Sequence, residues 1–225
     1  MTGESREEAA GRLAAIKDRI ARAARDADRK ADDVSLIAVS KTYERPQIES
    51  LIEAGHRLFG ENRVQEAQSK WPTLRDAHPD VSLHLVGQLQ SNKAADAVAL
   101  FDAIHSLDRP SLLTALARAM DKSGRRPACF LQVNIGEEAQ KGGCAIAEVP
   151  GLIAEARAAD VPLAGLMCVP PADVEAAPYF ALLAKIARDN GLAGLSMGMS
   201  GDFETAVMLG ATHVRIGTAL FGARQ

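Results

Sequence analysis

The chain has 225 residues, of which 47% are hydrophobic and 24% charged, and its formal net charge at pH 7 is −3. This size and composition are typical of one folded domain, and no apolar run of about 18 residues predicts a membrane span. The small negative charge gives no general attraction for nucleic acid or anionic lipid, so we expect neither as a partner.

The cysteines and the N-terminus indicate the compartment. Cys129, Cys144 and Cys168 are widely spaced and form no CxxC pair, which predicts neither a disulfide framework nor a zinc site. The first ten residues, MTGESREEAA, carry acidic side chains and no apolar run, so they do not resemble a signal peptide. We therefore expect a protein of the reducing cytoplasm.

The first predicted element is a charged amphipathic helix within residues 4–30. Its apolar face consists of four residues at helical spacing: Leu13, Ile16, Ile20 and Ala24. We interpret residues 1–30 as a helix packed on the surface of the domain that residues 31–225 form. A nucleic-acid role for its arginines is the alternative, and the net charge disfavours it.

Short apolar runs then alternate with amphipathic runs as far as the C-terminus. The predicted strands lie at 34–40, 56–60, 82–87, 101–106, 128–134, 162–169, 194–198 and 213–217. The predicted helices between them lie at 45–55, 63–71, 91–100, 110–120, 149–160, 173–191 and 202–211. This alternation predicts a parallel sheet, and eight units predict a single (β/α)8 TIM barrel. An open doubly wound sheet is the alternative, but no GxGxxG turn follows the first strand.

Lys41 stands where the first predicted strand, LIAVS, runs out. Chemistry in such barrels collects at the C-terminal ends of the strands. A lysine there can be a surface residue with a buried stem and a hydrated ammonium group. Alternatively, desolvation lowers the pKa of the amine and makes it a nucleophile for an aldehyde.

Two segments near the C-terminus have the features of a phosphate site. Ser200, in GMSGD, is expected where the last predicted helix begins, and Gly217 and Thr218, in RIGTALFG, end the eighth strand. Singly these residues are more often a helix cap and a turn. Together, the loops after strands seven and eight are a common phosphate site in TIM barrels. A lysine amine opposite a phosphate site indicates a phosphorylated aldehyde, either pyridoxal 5′-phosphate (PLP) or an aldolase's sugar phosphate.

Several motifs, in order, resemble the YggS/PROSC family of pyridoxal phosphate homeostasis proteins. They are AVSKT, FGENRVQEA, HLVGQLQSNK, VNIGEEAQKGG, GLMCVPP and LSMGMSGDFETAVMLGATHVRIGTALFGAR. The match extends from about residue 34 to the C-terminus. The resemblance implies a barrel similar to the N-terminal domain of alanine racemase, preceded by an extra helix.

The resemblance also implies a cofactor and a set of residues that bind it. Lys41 matches the family's Schiff-base lysine for PLP, and Asn62 matches an asparagine beside the cofactor. Ser200, Gly217 and Thr218 match phosphate contacts. Arg215 matches an arginine that faces the pyridine nitrogen, which a donor-only guanidinium would keep unprotonated. The implied function is PLP homeostasis without catalysis, with PLP, other B6 vitamers and apo PLP enzymes as partners.

Three positions depart from the commoner family pattern, and the departures affect only the fine shape of the expected pocket. They are Gln88, Cys168 and Gly201. Met197 and Met199 are interpreted either as lining the cofactor ring or as core.

The alternative to a binding protein is a PLP-dependent racemase-like enzyme. Racemases of the resembling fold use a tyrosine from a second domain across a dimer, whereas this chain ends directly after the barrel. Its two tyrosines, Tyr43 and Tyr179, are expected in a loop and in an outer helix. We therefore expect a monomer with no catalytic residues. The five histidines show no HxH or HExxH spacing, so no metal is expected, and we interpret His84 and His105 as hydrogen-bonded core residues.

Overall fold

A computed structural model describes residues 6–222 and shows a closed barrel of eight parallel strands. The strands are β1 (Ser35–Val39), β2 (Leu58–Glu61), β3 (Ser82–Leu85), β4 (Ala103–Leu107), β5 (Ala128–Gln132), β6 (Leu163–Met167), β7 (Gly194–Ser196) and β8 (His213–Ile216). Each strand pairs with the next in chain order, and β8 closes the barrel on β1. The prediction of a (β/α)8 barrel is confirmed, and the alternative of an open doubly wound sheet is wrong.

Helices follow every strand and cover the outside of the barrel. They are α1 (Arg6–Asp26), α2 (Arg45–Glu53), α3 (Val64–Ala77), α4 (Ala94–Leu100), α5 (Pro110–Ser123), α6 (Val149–Ala158), α7 (Ala177–Asp189), α8 (Phe203–Met208) and α9 (Thr218–Phe221). The short helix α9 was not predicted, because four residues are too few for a helical period to show. No helix formed by residues 6–222 has the length and apolar character that a membrane span requires.

Helix α1 lies on the outside of the barrel against α2, α8 and α9. The four predicted apolar residues of this helix are all buried, as the amphipathic pattern indicated. An arginine of α1 and one that follows the helix also reach α8 and its surroundings. Arg19 contacts the Glu204 carboxylate at 3.0 and 2.7 Å, and Arg29 donates to the carbonyls of Val207 and Ala211. The first helix therefore supports the part of the barrel that precedes and includes β8.

The barrel interior is unusually polar. Aliphatic side chains usually fill a TIM barrel, but here His84 of β3, His105 of β4 and His213 of β8 meet inside, with ring centroids 5.1 to 6.0 Å apart. Phe130 of β5 stacks on His105 at 4.2 Å. Strands β3 and β8 are not neighbours in the sheet, so these contacts cross the interior. The expected core role of His84 and His105 is confirmed.

Candidate functional site

The predicted site residues lie in or after four consecutive strands, β7, β8, β1 and β2, towards the C-terminal end of the barrel. Val39 of β1 pairs with Gly60 of β2, and the Ser40 N–H donates to the Gly60 carbonyl at 2.9 Å. Lys41 and Asn62 each follow this pair by two residues in their own segments. On the other side, Ala38 pairs with Ile216 of β8, so the loop after β8 borders the end of β1. The fold thus brings together residues up to 177 positions apart in sequence.

Lys41 is half-buried, and its Nζ has no hydrogen-bond or ion-pair partner among residues 6–222. Several other lysines do have acidic partners: Lys70, Lys93, Lys141 and Lys185. An amine without a carboxylate partner at a strand end is available to a ligand. This arrangement favours the functional interpretation of Lys41 over the snorkelling one.

The buried guanidinium of Arg215 is held inside the barrel by two acceptors. Arg215 Nη1 donates to Ser196 Oγ at 2.6 Å, and Arg215 Nη2 donates to the Cys168 carbonyl at 2.9 Å. Burial lowers the pKa of Arg215 from its ordinary value, but a guanidinium remains charged in proteins. Its Nε has no acceptor within the described part of the chain, so this nitrogen is among the donors that remain for a ligand.

A hydrogen-bonded chain continues from Arg215 across the interior. Ser196 Oγ accepts a hydrogen bond from Arg215 and lies 2.8 Å from His105 Nδ1. Among residues 6–222, this nitrogen is the sole acceptor for the hydroxyl proton of Ser196. This assigns the proton of His105 to Nε2, which then donates to His84 Nδ1 at 3.0 Å. Protonation of His105 would leave the Ser196 hydroxyl without an acceptor. The arrangement therefore requires neutral imidazoles beside the charged Arg215.

The pKa shifts of these histidines agree with that requirement. Burial first, and then the charge of neighbouring groups, lowers the pKa of His84 and of His213 to about 4. The same causes hold the pKa of His105 well below its ordinary value. All three imidazoles are therefore neutral at pH 7. The sequence indicated the burial of His84 and His105 but not their connection to Arg215, because that connection passes through residues far apart in the chain.

The loops after β7 and β8 present backbone N–H groups that have no acceptor among the described residues. They belong to Ser200, Gly201, Thr218 and Ala219. Helix α8 begins at Phe203 with Asp202 as its N-cap, so Ser200 lies three residues before the helix and not at its first turn. Asp202 Oδ1 accepts the Met199 N–H at 2.6 Å, which holds the loop. The free N–H groups suit an anion that approaches from outside the barrel.

Asn62 lies where the loops after β2 and β3 nearly touch. A Cβ added to Gly87 would be 2.2 Å from the Asn62 carbonyl oxygen, so this approach requires a glycine. The Asn62 side chain makes no hydrogen bond within the described residues. Its amide group is therefore available beside Lys41.

A cavity of about 520 Å³ adjoins the site, between the loop after β7 and the loop from Val169 to Ala177. Met199, Gly201 and Asp202 line it, but none of the six predicted residues does. Met199 is 39% exposed, whereas Met197 is fully buried in the core. Met197 is therefore a core residue, whereas contact of Met199 with a cofactor ring stays a prediction.

The three departures from the family pattern fit the local structure without disturbing the predicted site. Gln88 donates to Gln132 Oε1 at 2.7 Å and so connects the loop after β3 to β5. A Cβ on Gly201 would meet nothing within 4 Å. The Cys168 side chain is buried and its carbonyl holds Arg215. The described residues contain no cluster of three metal-ligating side chains.

Comparison with known proteins gives the class of fold first. The family model of the alanine racemase N-terminal domain matches residues 12–225. A solved alanine racemase of Clostridium difficile 630 superposes with a TM-score of 0.70 at 16% identity, over 92% of this chain and 56% of that one. At this identity the likeness shows the shared barrel alone.

More similar relatives define the family. A protein of Pseudomonas aeruginosa named pyridoxal phosphate homeostasis protein is 41% identical over 95% of this chain and 94% of its own length. The Escherichia coli K12 protein of that name is 36% identical, covering 95% of each chain. PipY of Synechococcus elongatus, in a structure with PLP bound, has a TM-score of 0.84 at 36% identity and covers 95% of this chain and 100% of its own. The chain belongs to the family of pyridoxal phosphate homeostasis proteins.

Proposed function

We propose that this protein binds PLP at Lys41 and acts in PLP homeostasis inside the cell. The observation that carries the proposal is the Lys41 amine, unpaired among residues 6–222, at the end of a strand whose neighbours lead into Asn62 and into a loop with free N–H groups. Every one of these groups can donate to an anion or react with an aldehyde. The names of the relatives and the PLP in the PipY structure support the same assignment.

The donor set fits the chemical groups of PLP. When bound, PLP supplies an aldehyde that condenses with an amine, with a C=N bond replacing the C=O bond and one water leaving. Lys41 supplies that amine in its neutral form. The N–H groups of the loops at Ser200 and at Thr218 would hold the phosphate, with the small Gly217 allowing close approach.

Arg215 and Asn62 would hold the ring. The free Nε of Arg215 is a donor for the pyridine nitrogen, and a group that can only donate favours the unprotonated ring. The chain through Ser196 and His105 keeps the guanidinium in place. The Asn62 amide, with both a donor and an acceptor, suits a polar ring substituent beside Lys41.

We expect the purified protein to be yellow and hydride reduction to fix a phosphopyridoxyl group on Lys41. The reason is that no carboxylate pairs with this amine in the described structure, whereas Lys93 lies 3.3 Å from Asp96. Peptide mass mapping after reduction measures the position. The Lys41→Ala protein should carry no adduct, and the Lys93→Ala protein should label like the wild type.

An adduct on Lys93 or Lys141, or the absence of any adduct in the wild-type protein, would contradict the site assignment. Loss of the adduct in both alanine variants would point to a folding defect. The unfolding temperature of each apo-protein distinguishes that case.

We propose further that the protein is not an enzyme, in contrast to the racemase-like alternative. A PLP racemase needs a second proton-transfer group near the substrate carbon. Tyr43 is buried, and its hydroxyl donates to the Gly222 carbonyl at 3.2 Å. Tyr179 lies on the outer helix α7. Burial raises the pKa of the Cys168 thiol to about 12, which keeps it protonated. These features support binding without turnover.

We expect the PLP-loaded protein to turn over no amino acid at an enzymatic rate. Incubation with each common L- and D-amino acid, followed by chiral product analysis, measures racemisation, decarboxylation and transamination. Repeated turnover that Lys41→Ala abolishes would replace this proposal with the racemase-like one. Mixing with an apo PLP enzyme tests delivery separately, and no reactivation would leave storage of the cofactor as the function.

The proposal extends to partners and state. Other B6 vitamers that carry the phosphate should bind, because the proposed phosphate contacts of the loops at Ser200 and Thr218 do not depend on an aldehyde. The buried free cysteines suit a reducing cytoplasm.

The exposed surface supports a monomer. Among residues 6–222, the large apolar side chains that are exposed to solvent are too few for an obligate interface: Val174, Leu182, Met199 and Met208. A sedimenting mass of twice 23.8 kDa, or recovery outside the cytoplasmic fraction, would contradict these assignments.

A further inference from the structure

Lys41 lies in a tight turn of unusual conformation, residues 40–43, which we name the Lys41 turn. The Tyr43 N–H donates to the Ser40 carbonyl at 3.1 Å and closes the turn. Thr42, its third residue, has a φ of 66°. A positive φ at this position is ordinarily taken by glycine, and a β-branched residue there is strained. The surrounding structure must therefore hold the turn in this conformation.

Helix α3 supplies the groups that hold it. Lys70 Nζ donates to the Ser40 carbonyl at 3.0 Å and to the Tyr43 carbonyl at 3.2 Å, the first and last carbonyls of the turn. Its third hydrogen bond goes to Glu66 Oε1 at 2.8 Å. The same Glu66 oxygen accepts the Thr42 N–H at 2.6 Å. Two side chains one helical turn apart thus bind three backbone groups around Lys41.

Charge anchors this arrangement to the barrel. The fully buried carboxylate of Glu61, at the end of β2, lies 2.9 Å from Lys70 Nζ and accepts the Ser40 hydroxyl at 2.8 Å. Desolvation opposes ionisation of Glu66, but the bonds from Lys70 and from the Thr42 N–H outweigh it and lower the pKa of Glu66. The Lys70 side chain, 12% exposed, thus lies between the acidic side chains of Glu61 and Glu66.

We propose that Lys70 and Glu66 are positioning residues for Lys41. They keep the strained turn in the conformation that directs the Lys41 amine at the aldehyde, and they take no part in binding the phosphate. The inference rests on the proposed function, in which the amine nitrogen bonds to the aldehyde carbon and the carbonyl oxygen leaves as water. A misplacement of about 1 Å costs such a reaction on the order of a hundredfold in rate.

The test separates capture of the aldehyde from binding of the phosphate. PLP probes both, whereas pyridoxine 5′-phosphate has an alcohol in place of the aldehyde and probes non-covalent binding alone. Stopped-flow absorbance gives the rate of capture, and calorimetry gives the Kd for pyridoxine 5′-phosphate. The variants are Lys70→Gln and Glu66→Ala, and the second keeps the test valid if the first leaves the buried Glu61 unpaired and fails to fold.

We expect both variants to capture PLP at least about tenfold more slowly, with the Kd for pyridoxine 5′-phosphate changed less than twofold. The matched control is Lys185→Gln, because Lys185 pairs with Asp189 at the same helical spacing on α7, outside the site. It should match the wild type in both measurements. Adding Thr42→Gly, which adopts a positive φ without strain, should restore part of the capture rate.

Unchanged capture in the folded variants would overturn the inference, and so would an equal loss of capture and of pyridoxine 5′-phosphate binding, which would indicate general loosening. A wild-type protein that captures no PLP would instead overturn the proposed function. The two failures are therefore distinguishable in one set of measurements.

Discussion

Between pH 6.5 and pH 4 we expect the apo-protein to lose most of its free energy of unfolding. Four histidines cause this: His56, His84, His105 and His213. Burial is the first cause in each case, and it lowers the native pKa of three of them to about 4 and that of His105 well below 6.5. The unfolded chain takes up these protons near pH 6.5, so it binds more protons than the native state throughout this range. Stability that is full above pH 6.5 therefore declines as the pH falls.

The expected slope is large. Four such groups correspond to about 5 kcal/mol per pH unit, against a typical total stability of roughly 5–15 kcal/mol. Unfolding is therefore expected before the native histidines titrate. Urea midpoints between pH 4 and pH 7.5 measure the slope.

A variant with one buried histidine removed provides the comparison. In His84→Gln the amide oxygen can still accept from His105, and the slope should fall by about 1.4 kcal/mol per pH unit. The slope of unfolding free energy against pH gives the number of protons taken up on unfolding. If the wild-type protein takes up fewer than about one proton, its barrel histidines titrate in the native state as they do in the unfolded chain. That result would also contradict the proton assignment between Ser196 and His105.

Gly87→Ala should destabilise the protein strongly and displace Asn62. The added methyl group would meet the Asn62 carbonyl oxygen at 2.2 Å, its Cα at 2.7 Å and its carbonyl carbon at 2.8 Å. These are backbone atoms, so the loops after β2 and β3 must move apart. We expect a loss of about 3 kcal/mol, or roughly 10 °C in Tm, and weaker PLP binding.

Gly11→Ala is the matched control for this prediction. Gly11 is exposed in the middle of α1, and a Cβ there meets nothing within 4 Å. Alanine at this position should raise stability by about 0.5–1 kcal/mol, because it lowers the entropy lost on folding. Equal unfolding temperatures for Gly87→Ala and the wild type would mean that the two loops are not in contact.

Much of the fold could be predicted because its elements are encoded locally. Each of the eight strands is a short apolar run, and the helices carry apolar residues on one face, as in α1. The elements of the barrel follow from these periods, and alternation of the two types implies parallel pairing. Element ends were less predictable, since Ser200 lies before α8 and the four-residue α9 has no period.

The individual site residues stay a prediction, made from their places at strand ends and in recognisable motifs. Lys41, Asn62 and Arg215 follow or end strands whose direction the alternation determines. Their partners were not predictable. Nothing local in sequence indicates that Ser196 accepts from Arg215 or that the Lys70 ammonium holds the carbonyls on both sides of Lys41.

The sequence by itself therefore determined the order of the strands and helices and the absence of a dominant charge. It also proposed the residues that would bind an aldehyde phosphate, and these remain a prediction. Only the tertiary structure decided which neutral and charged groups surround them. The physical reason is that hydrogen bonds such as His105 to Ser196 join residues 91 positions apart. Such bonds depend on closure of the barrel, which brings β4 and β7 face to face. The hydrophobic period of a strand or helix describes that element alone and does not indicate which distant residues will meet.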